Sequence, residues 1–226
     1  MILRFPMKPL EMFRQVFPKM DGELNLWDCT SKVDGWRTLI CRDASQGIIK
    51  SYPGGNLSWA RGKNKDLFFL SRRGIDKGGP TNIPVKEEIV ETVENLMLPD
   101  LSMLDSEWLD RRTIGEIPES LFLLDVLWWK DMWMGTTPWF MRKETFFSVN
   151  KLNNHVRLPI RPKEGQKFSE FFEEMKSISW TEGIVLRHKN DTIVGDRVEC
   201  KKSATLIKIK WRSGDDGRRE VYKGAA

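Results

Sequence analysis

The sequence predicts an α+β fold in which antiparallel β-sheets are flanked by a few helices. Runs of β-branched and aromatic residues bordered by turn residues recur along the chain, whereas helical periodicity is found in only three segments. Strands in succession with few helices between them favour antiparallel sheets. With 226 residues, of which 40% are hydrophobic, the chain can bury the core of one well-packed domain. We therefore expect residues 1–226 to form a single domain.

The strand and helix segments follow from the period of their apolar residues. The predicted strands are residues 35–42, 66–72, 101–109, 121–129, 182–188 and 205–211. The predicted helices are residues 9–17, 84–97 and 168–178. The faces expected to be buried consist of Val85, Ile89, Val93 and Met97 in the second helix and of Phe168, Phe172 and Met175 in the third.

The composition argues against several classes of protein. The first 20 residues carry charges throughout, unlike a signal peptide, and no apolar run approaches the roughly 18 residues of a membrane span. Three cysteines without CxxC spacing and two histidines do not suggest a zinc site. We expect an intracellular, cytoplasmic monomer without membrane association, and a nuclear or viral location stays open. The net charge of +5 suits a polyanionic partner, and it suits a basic surface without a partner equally well.

Residues 30–43, TSKVDGWRTLICRD, place Lys32 and Arg37 on either side of an Asp34–Gly35 turn. A lysine amine is a nucleophile only when neutral, and at its ordinary pKa about 0.1% of it is neutral at physiological pH. A catalytic lysine therefore needs burial or other cations nearby. The alternative interpretation is a surface hairpin with two solvated cations.

Other cations occur near the C-terminal end, in the segment TLIKIKWR. Strand alternation puts Lys208 and Lys210 on one face, with Ile207, Ile209 and Trp211 on the other. One positive charge about 5 Å from a lysine would oppose its protonation by roughly 3 kcal/mol at an effective dielectric constant near 20. The same two lysines could neutralise a phosphate, or they could form the solvated face of an edge strand.

Six segments, in this order, resemble the signatures of one superfamily. KVDGWR, which contains Lys32, Asp34, Gly35 and Arg37, matches K-x-D-G-x-R. FLSRRG resembles S-R-x-G, MLDSEWL resembles D-G-E, LFLLDVLWW resembles F-D-x-L-Y, TEGIVLR resembles E-G-x-V, and LIKIKW resembles K-x-K-W. Together they resemble the covalent nucleotidyltransferases: ATP-dependent DNA ligases, RNA ligases and mRNA capping enzymes. Six ordered matches are far more specific than any one of them.

The resemblance implies a nucleotidyltransferase (adenylation) domain with a nucleotide cleft between its sheets. It implies that Lys32 attacks the α-phosphate of ATP, releases pyrophosphate and retains AMP as a phosphoramidate. The AMP then passes to the 5′-phosphate of a broken strand, and a 3′-hydroxyl displaces it to seal the break. Lys208 and Lys210 would stabilise the α-phosphate, whereas Arg37 and Glu107 would hold the ribose and a nearby phosphate.

The remaining implied contacts concern metal, nucleic acid and base. Glu182 is implied to bind Mg²⁺, with Glu107 as a second acidic ligand, and Arg72 to contact the nucleic-acid phosphate beside a nick. The aromatic residue that stacks on adenine in this superfamily stands just before the Asp of F-D-x-L, where this chain has Leu124. Phe122 lies two residues earlier on the same strand face, so either residue could cover the base, and ATP is expected without excluding GTP.

The variants of the motifs favour one branch of the superfamily. E-G in TEGIVLR favours a ligase over a capping enzyme, and KVDGWR, FLSRRG and LLDVLW favour a DNA ligase acting on nicked double-stranded DNA. An RNA ligase is the first alternative, and a non-catalytic nucleic-acid-binding module with a ligase-like fold is the second. The sequence ends about 15 residues after the last motif, so we expect no C-terminal OB-fold domain. The core then acts alone, a partner protein supplies that role, or the chain is truncated.

Overall fold

The computed structural model describes residues 8–51, 55–71, 81–110, 117–147, 152–193 and 202–211. The strands in these ranges are β1 (Lys8–Met12), β2 (Trp27–Val33), β3 (Trp36–Arg42), β4 (Leu67–Ser71), β5 (Thr81–Asn82), β6 (Ser102–Leu109), β7 (Ser120–Trp129), β8 (Met132–Trp133), β9 (Val156–Arg157), β10 (Thr181–His188) and β11 (Lys202–Lys210). The helices are α1 (Phe17–Asp21), α2 (Gly47–Lys50), α3 (Glu87–Asn95), α4 (Trp139–Phe147) and α5 (Phe168–Met175), with short 3₁₀ turns at Arg14–Val16, Leu57–Trp59 and Met134–Thr136.

The smaller sheet has four strands in the order β1-β11-β10-β2. β10 pairs antiparallel with both β2 and β11, whereas β1 runs parallel to β11 at the edge. One face of this sheet packs on α1 and α5 through a core made of Phe17, Met20, Trp27, Cys29, Phe168, Phe171, Phe172, Met175, Ile184, Leu186, Ile207 and Ile209. The opposite face therefore carries the alternate, mostly polar residues of the same strands.

The larger sheet has seven strands, β5-β4-β3-β6-β7-β8 with β9 beside β7, and both of its faces are covered. One face packs on α3 through residues such as Ile40, Leu104 and Val126. The other face packs on α2 through residues such as Leu39 and Phe68. A sheet that is buried on both faces reads in sequence as a nearly continuous apolar run, which explains the composition of β4.

A small apolar cluster joins the two sheets close to the turn between β2 and β3. It consists of Val33, Leu109, Phe122 and Trp180, and the rings of Phe122 and Trp180 stack with their centroids 4.8 Å apart. This cluster holds the end of β2 against β6 and β7. The sheets are thereby fixed relative to each other at the end where Lys32 lies.

The predicted α+β class and all six predicted strands are confirmed, but two predictions about helices are wrong. Residues 8–12 form β1 instead of a helix that begins at Pro9, because they pair with the free edge of β11. Proline, which has no backbone N–H, is tolerated here because β1 is an edge strand. The helix predicted over residues 84–97 ends at Asn95, so Met97 is 73% exposed, whereas Val85, Ile89 and Val93 are buried as expected.

The longer elements that were not predicted are β2, which carries Lys32, and α4. The short elements α1, α2, β5, β8 and β9 were not predicted either. None of the helices in the described part of the chain is long and apolar enough to cross a bilayer.

Candidate active site

The Asp34–Gly35 turn brings the two sheets together at Lys32 and Arg37. Lys32 lies near the end of β2 in the smaller sheet, and Arg37 lies near the start of β3 in the larger one. A Cβ atom on Gly35 would lie 2.5 Å from the carbonyl oxygen of Trp108 on β6, so only glycine allows the turn to pack this closely. The predicted pair of cations is therefore anchored to both sheets.

Glu182 connects Lys32 with Lys210 across three strands. The Lys32 amine donates to Glu182 Oε1, and the Lys210 amine donates to Oε2 at 2.5 Å. The three side chains are 15–26% exposed. Burial by itself would raise the pKa of Glu182, but the two ammonium groups outweigh burial and hold this pKa below its ordinary value. The carboxylate therefore stays ionised between two cations.

A β-bulge turns Glu182 towards these lysines. Thr181 pairs with Val33 and Gly183 pairs with Lys32, so Glu182 is an extra residue in β10. In a regular strand Glu182 would face the same side as Ile184, which lies in the core against α5. The bulge reverses this orientation, and Gly183 permits the close approach of β11, since a Cβ atom there would collide with the Ile209 carbonyl.

Lys208 lies on the same face of β11 as Lys210, as the alternation predicted. Ile207 and Ile209 are buried on the opposite face. The Lys208 amine makes an ion pair of 2.9 Å with Glu11 on β1, and not with Glu182. The two lysines thus have different acidic partners on neighbouring strands.

Arg37 and Glu107 lie directly opposite each other on β3 and β6. The Arg37 guanidinium donates two hydrogen bonds to Asp105, a buried carboxylate two residues before Glu107. Burial raises the pKa of Glu107 to about 7, although the charges of Lys32 and Arg37 act in the opposite direction. Near neutral pH Glu107 is consequently divided between its acid and its carboxylate form.

A cavity of about 390 Å³ lies between the two sheets beside these groups. Its size falls within the range of small-molecule sites, roughly 300–1,000 Å³. Of the residues predicted from sequence, Lys32, Arg37, Glu107, Leu124 and Lys208 line it. Lys210 and Glu182 are connected to it through their contact with Lys32.

The two candidates for covering a base are placed differently. Leu124 lines the cavity, whereas Phe122 is 1% exposed and stacks on Trp180 in the cluster that joins the sheets. Leu124 is therefore the better placed of the two for contact with a ligand, and Phe122 supports the wall. Arg72, the predicted nucleic-acid contact, lies outside the described residues. The roles of all these residues stay predictions.

Four charged or aromatic residues that line the cavity were not predicted: Asp28, Trp139, Arg161 and Arg187. Asp28 accepts a hydrogen bond of 2.6 Å from the indole N–H of Trp139, and the Arg187 guanidinium stacks over the Trp139 ring at 4.2 Å. Arg187 also donates to Asp125, at 2.5 Å. Asp28 on β2 is paired with Arg187 on β10. Alternate residues of a strand share a face, so Asp28 lies on the same face of β2 as Lys32. This alternation could have indicated the position of Asp28.

The donor set is compatible with a divalent metal ion that is shared with a phosphate group. Among the described residues no group of three or more His, Cys, Asp or Glu side chains could hold an ion by itself. Mg²⁺ is usually held by one or two carboxylates together with substrate phosphates and water. Glu182 contacts Lys32 directly, and Glu107 lies close enough to both for their charges to act on its ionisation.

Comparison with solved structures identifies the fold. The chain is similar to a mycobacterial DNA ligase D complexed with ATP and MES, with a TM-score of 0.57 and 16% identity over 91% of this chain and 61% of that one. It is similar to the ligase domain of LigD from M. tuberculosis, with a TM-score of 0.56 and 16% identity over 90% and 59% of the two chains. It is also similar to a mutant RNA ligase of Naegleria gruberi with ATP and Mn, with a TM-score of 0.50 and 11% identity over 96% and 60%.

The chain therefore has the same fold as the matching parts of these DNA and RNA ligases, which confirms the predicted α+β fold. It spans about 60% of the length of the two DNA ligase chains. The sequence matches no protein-family model and no curated protein.

Proposed function

We propose that this chain is an ATP-dependent polynucleotide ligase that forms a lysine–AMP intermediate on Lys32 and seals breaks between a 5′-phosphate and a 3′-hydroxyl in DNA. The observation that carries the proposal is the line of Lys32, Glu182 and Lys210 at the edge of a cavity that also contains Arg37 and Glu107. Three lysines share two acidic partners, Glu182 and Glu11, so the cluster keeps a net positive charge that favours an anionic substrate. It suits a reaction that depends on positioning and charge neutralisation.

In the first step the Lys32 Nζ atom, after losing a proton to water, attacks the α-phosphorus of ATP. The bond from this phosphorus to the bridging oxygen breaks, and pyrophosphate leaves with the electron pair. Glu182 orients the amine through its hydrogen bond, and Lys208 and Lys210 offset the negative charge that develops on the phosphate oxygens. Glu182 and Glu107 would hold Mg²⁺, which would add positive charge at the phosphates.

The rest of the cavity would hold the nucleoside. Arg37 is fixed by two hydrogen bonds to Asp105, so its guanidinium needs little further ordering when it contacts the ribose or a phosphate. Glu107, with a pKa of about 7, can accept or donate a hydrogen bond at a ribose hydroxyl. Leu124 supplies an apolar surface for the base.

Weighing the intact protein after incubation with ATP and Mg²⁺ tests the first step. We expect a mass increase of one AMP in the wild type and in Lys50→Ala, a control that removes an exposed lysine on α2. Lys32→Ala should acquire no AMP. No mass increase with either ATP or GTP would favour the non-catalytic binding module.

A sealing assay on matched nicked DNA, nicked RNA and hybrid duplexes tests the substrate. The similarity in fold to an RNA ligase over 96% of this chain makes RNA the second candidate. The motif variants favour DNA, so we expect the nicked DNA duplex to be sealed fastest. Faster sealing of the RNA duplex would replace the proposed substrate and leave the lysine–AMP chemistry unchanged.

A further inference from the structure

The edge strand β1 contributes a carboxylate that pairs with Lys208 of the site. Its parallel pairing with β11 sets Glu11 directly beside Lys208, and the two side chains form an ion pair of 2.9 Å. Pro9 on the same strand lines the cavity. The hydrogen bond from Lys208 lowers the pKa of Glu11 below its ordinary value, so this carboxylate is ionised at neutral pH.

Glu11 is the more easily displaced of the two acidic partners in this cluster. Its side chain is 53% exposed and pairs with Lys208, which is 24% exposed. Glu182, in contrast, is 15% exposed and contacts both Lys32 and Lys210. An ion pair in contact with water contributes little free energy, so an incoming anion can break the Glu11 pair far more easily than the Glu182 pair.

We propose that the Glu11 carboxylate competes with a phosphate group of the nucleoside triphosphate for Lys208. This inference rests on the proposed function, because it assumes that the cavity takes a triphosphate. The role of Glu11 is then to weaken the hold of the site on polyphosphate. Such weakening favours release of pyrophosphate over its return to the lysine–AMP intermediate.

A double-mutant cycle with inorganic pyrophosphate as the probe tests the competition directly. Titration calorimetry at low salt would compare the wild type with Glu11→Gln, Lys208→Met and the double variant. We expect Glu11→Gln to bind pyrophosphate about two- to fivefold more tightly, the range given by an exposed ion pair, and to have no effect in the Lys208→Met background. Glu91→Gln, which removes an exposed carboxylate on α3, is the matched control and should leave the affinity unchanged.

Three results would overturn the inference. Equal tightening in both backgrounds would mean that Glu11 acts only through its general charge. Weaker binding by Glu11→Gln would mean that Glu11 positions Lys208 instead of competing for it. Absence of pyrophosphate binding in both the wild type and Glu11→Gln would mean that Lys208 takes no polyphosphate.

Kinetics of lysine–AMP formation separate this inference from the proposed function. In Glu11→Gln the KM for ATP should fall about two- to fivefold, and Glu11→Asp should restore a KM closer to that of the wild type. A fall in kcat without a change in KM would contradict the competition. If no variant forms lysine–AMP but the pyrophosphate cycle gives the expected pattern, the proposed function fails and the competition at Lys208 stands.

Discussion

Replacing Asp125 by asparagine should remove the anion on which two arginines depend. Asp125 is 1% exposed and accepts hydrogen bonds of 2.9 and 3.0 Å from Arg142, whose side chain is fully buried. Its second oxygen also accepts a hydrogen bond of 2.5 Å from Arg187, which is 12% exposed and lines the cavity. Asparagine keeps the shape of the side chain, removes the charge, and replaces one acceptor oxygen by an NH₂ group that cannot accept the hydrogen bonds of the arginines.

Removing one partner of a buried ion pair costs about 3–5 kcal/mol, because the remaining charge stays buried with too little compensation. After the substitution the two arginines would keep the more distant Asp191 carboxylate, 3.7 Å from Arg142 and 3.9 Å from Arg187. For a chain of 226 residues each kcal/mol corresponds to about 2–4 °C in Tm, so Asp125→Asn should lower Tm by roughly 6–20 °C. Urea unfolding followed by circular dichroism would measure the free energy. The control is Glu173→Gln, which removes one carboxylate from a 2.7 Å pair with Lys176 at the surface and should cost at most about 1 kcal/mol.

The pH dependence of the Asp125 effect gives a second check. Burial would raise the pKa of Asp125, but Arg187 and Arg142 outweigh burial and lower it below the ordinary value of 3.8. The stabilisation that ionised Asp125 provides is therefore present above pH 3.8, the ordinary pKa of an aspartate. It is lost as the pH falls through the lower pKa that Asp125 has in the folded protein. The difference between wild type and Asp125→Asn should be constant from about pH 5 to 8. A cost below about 1 kcal/mol, or one equal to that of Glu173→Gln, would refute the reasoning.

Three further predictions concern the site. Burial raises the pKa of Glu107 from 4.5 to about 7, so between these pH values the folded protein binds more protons than the unfolded chain. The free energy of unfolding should therefore fall by up to about 3 kcal/mol as the pH rises through this window. The Glu107→Gln variant should not show this pH-dependent fall in stability. Lys208→Ala and Lys210→Ala should each slow AMP transfer, and their circular dichroism spectra should stay native. The rate should fall by about 10²–10³-fold if the lost charge contributes as much as an oxyanion-hole donor. Transfer at the wild-type rate would contradict the proposed role of these lysines at the phosphate. Gly183→Ala should lower Tm measurably, because its Cβ atom would collide with the Ile209 backbone, and an unchanged Tm would contradict the described approach of β10 and β11.

The sequence predicts the strands well where apolar residues dominate, and fails where polar residues share a strand with buried ones. β2 buries Trp27, Cys29, Ser31 and Val33 on one face, and serine and cysteine are weak strand signals. The carboxylate of Glu182 could be predicted as part of the site from the motif. Its orientation could not, because the bulge that turns it depends on the register between β10 and β2.

The unpredicted wall of the cavity shows a different limit of sequence reasoning. Asp28, Trp139, Arg161 and Arg187 come from separated segments, and each looks like an ordinary residue of its own segment. Their contacts arise only when α4 packs against the ends of β2 and β10. Arg142 gives a similar example, because in sequence it looks like an ordinary charged residue of a short helix. Its guanidinium can be buried because it donates hydrogen bonds to Asp125 and to the backbone carbonyls of Thr137 and Asp191.

The arrangement of charges explains how a protein can fold with three lysines on one face. Lys32, Lys208 and Lys210 would repel one another, but Glu182 and Glu11 separate them, so every ammonium group has an acidic partner. A triphosphate supplies anionic oxygens to the same amines and exchanges one set of partners for another, so little electrostatic stabilisation is lost on binding. The more exposed carboxylate should exchange first. Affinity for polyphosphate should therefore respond to substitution at Glu11, and stability should respond to substitution at Glu182.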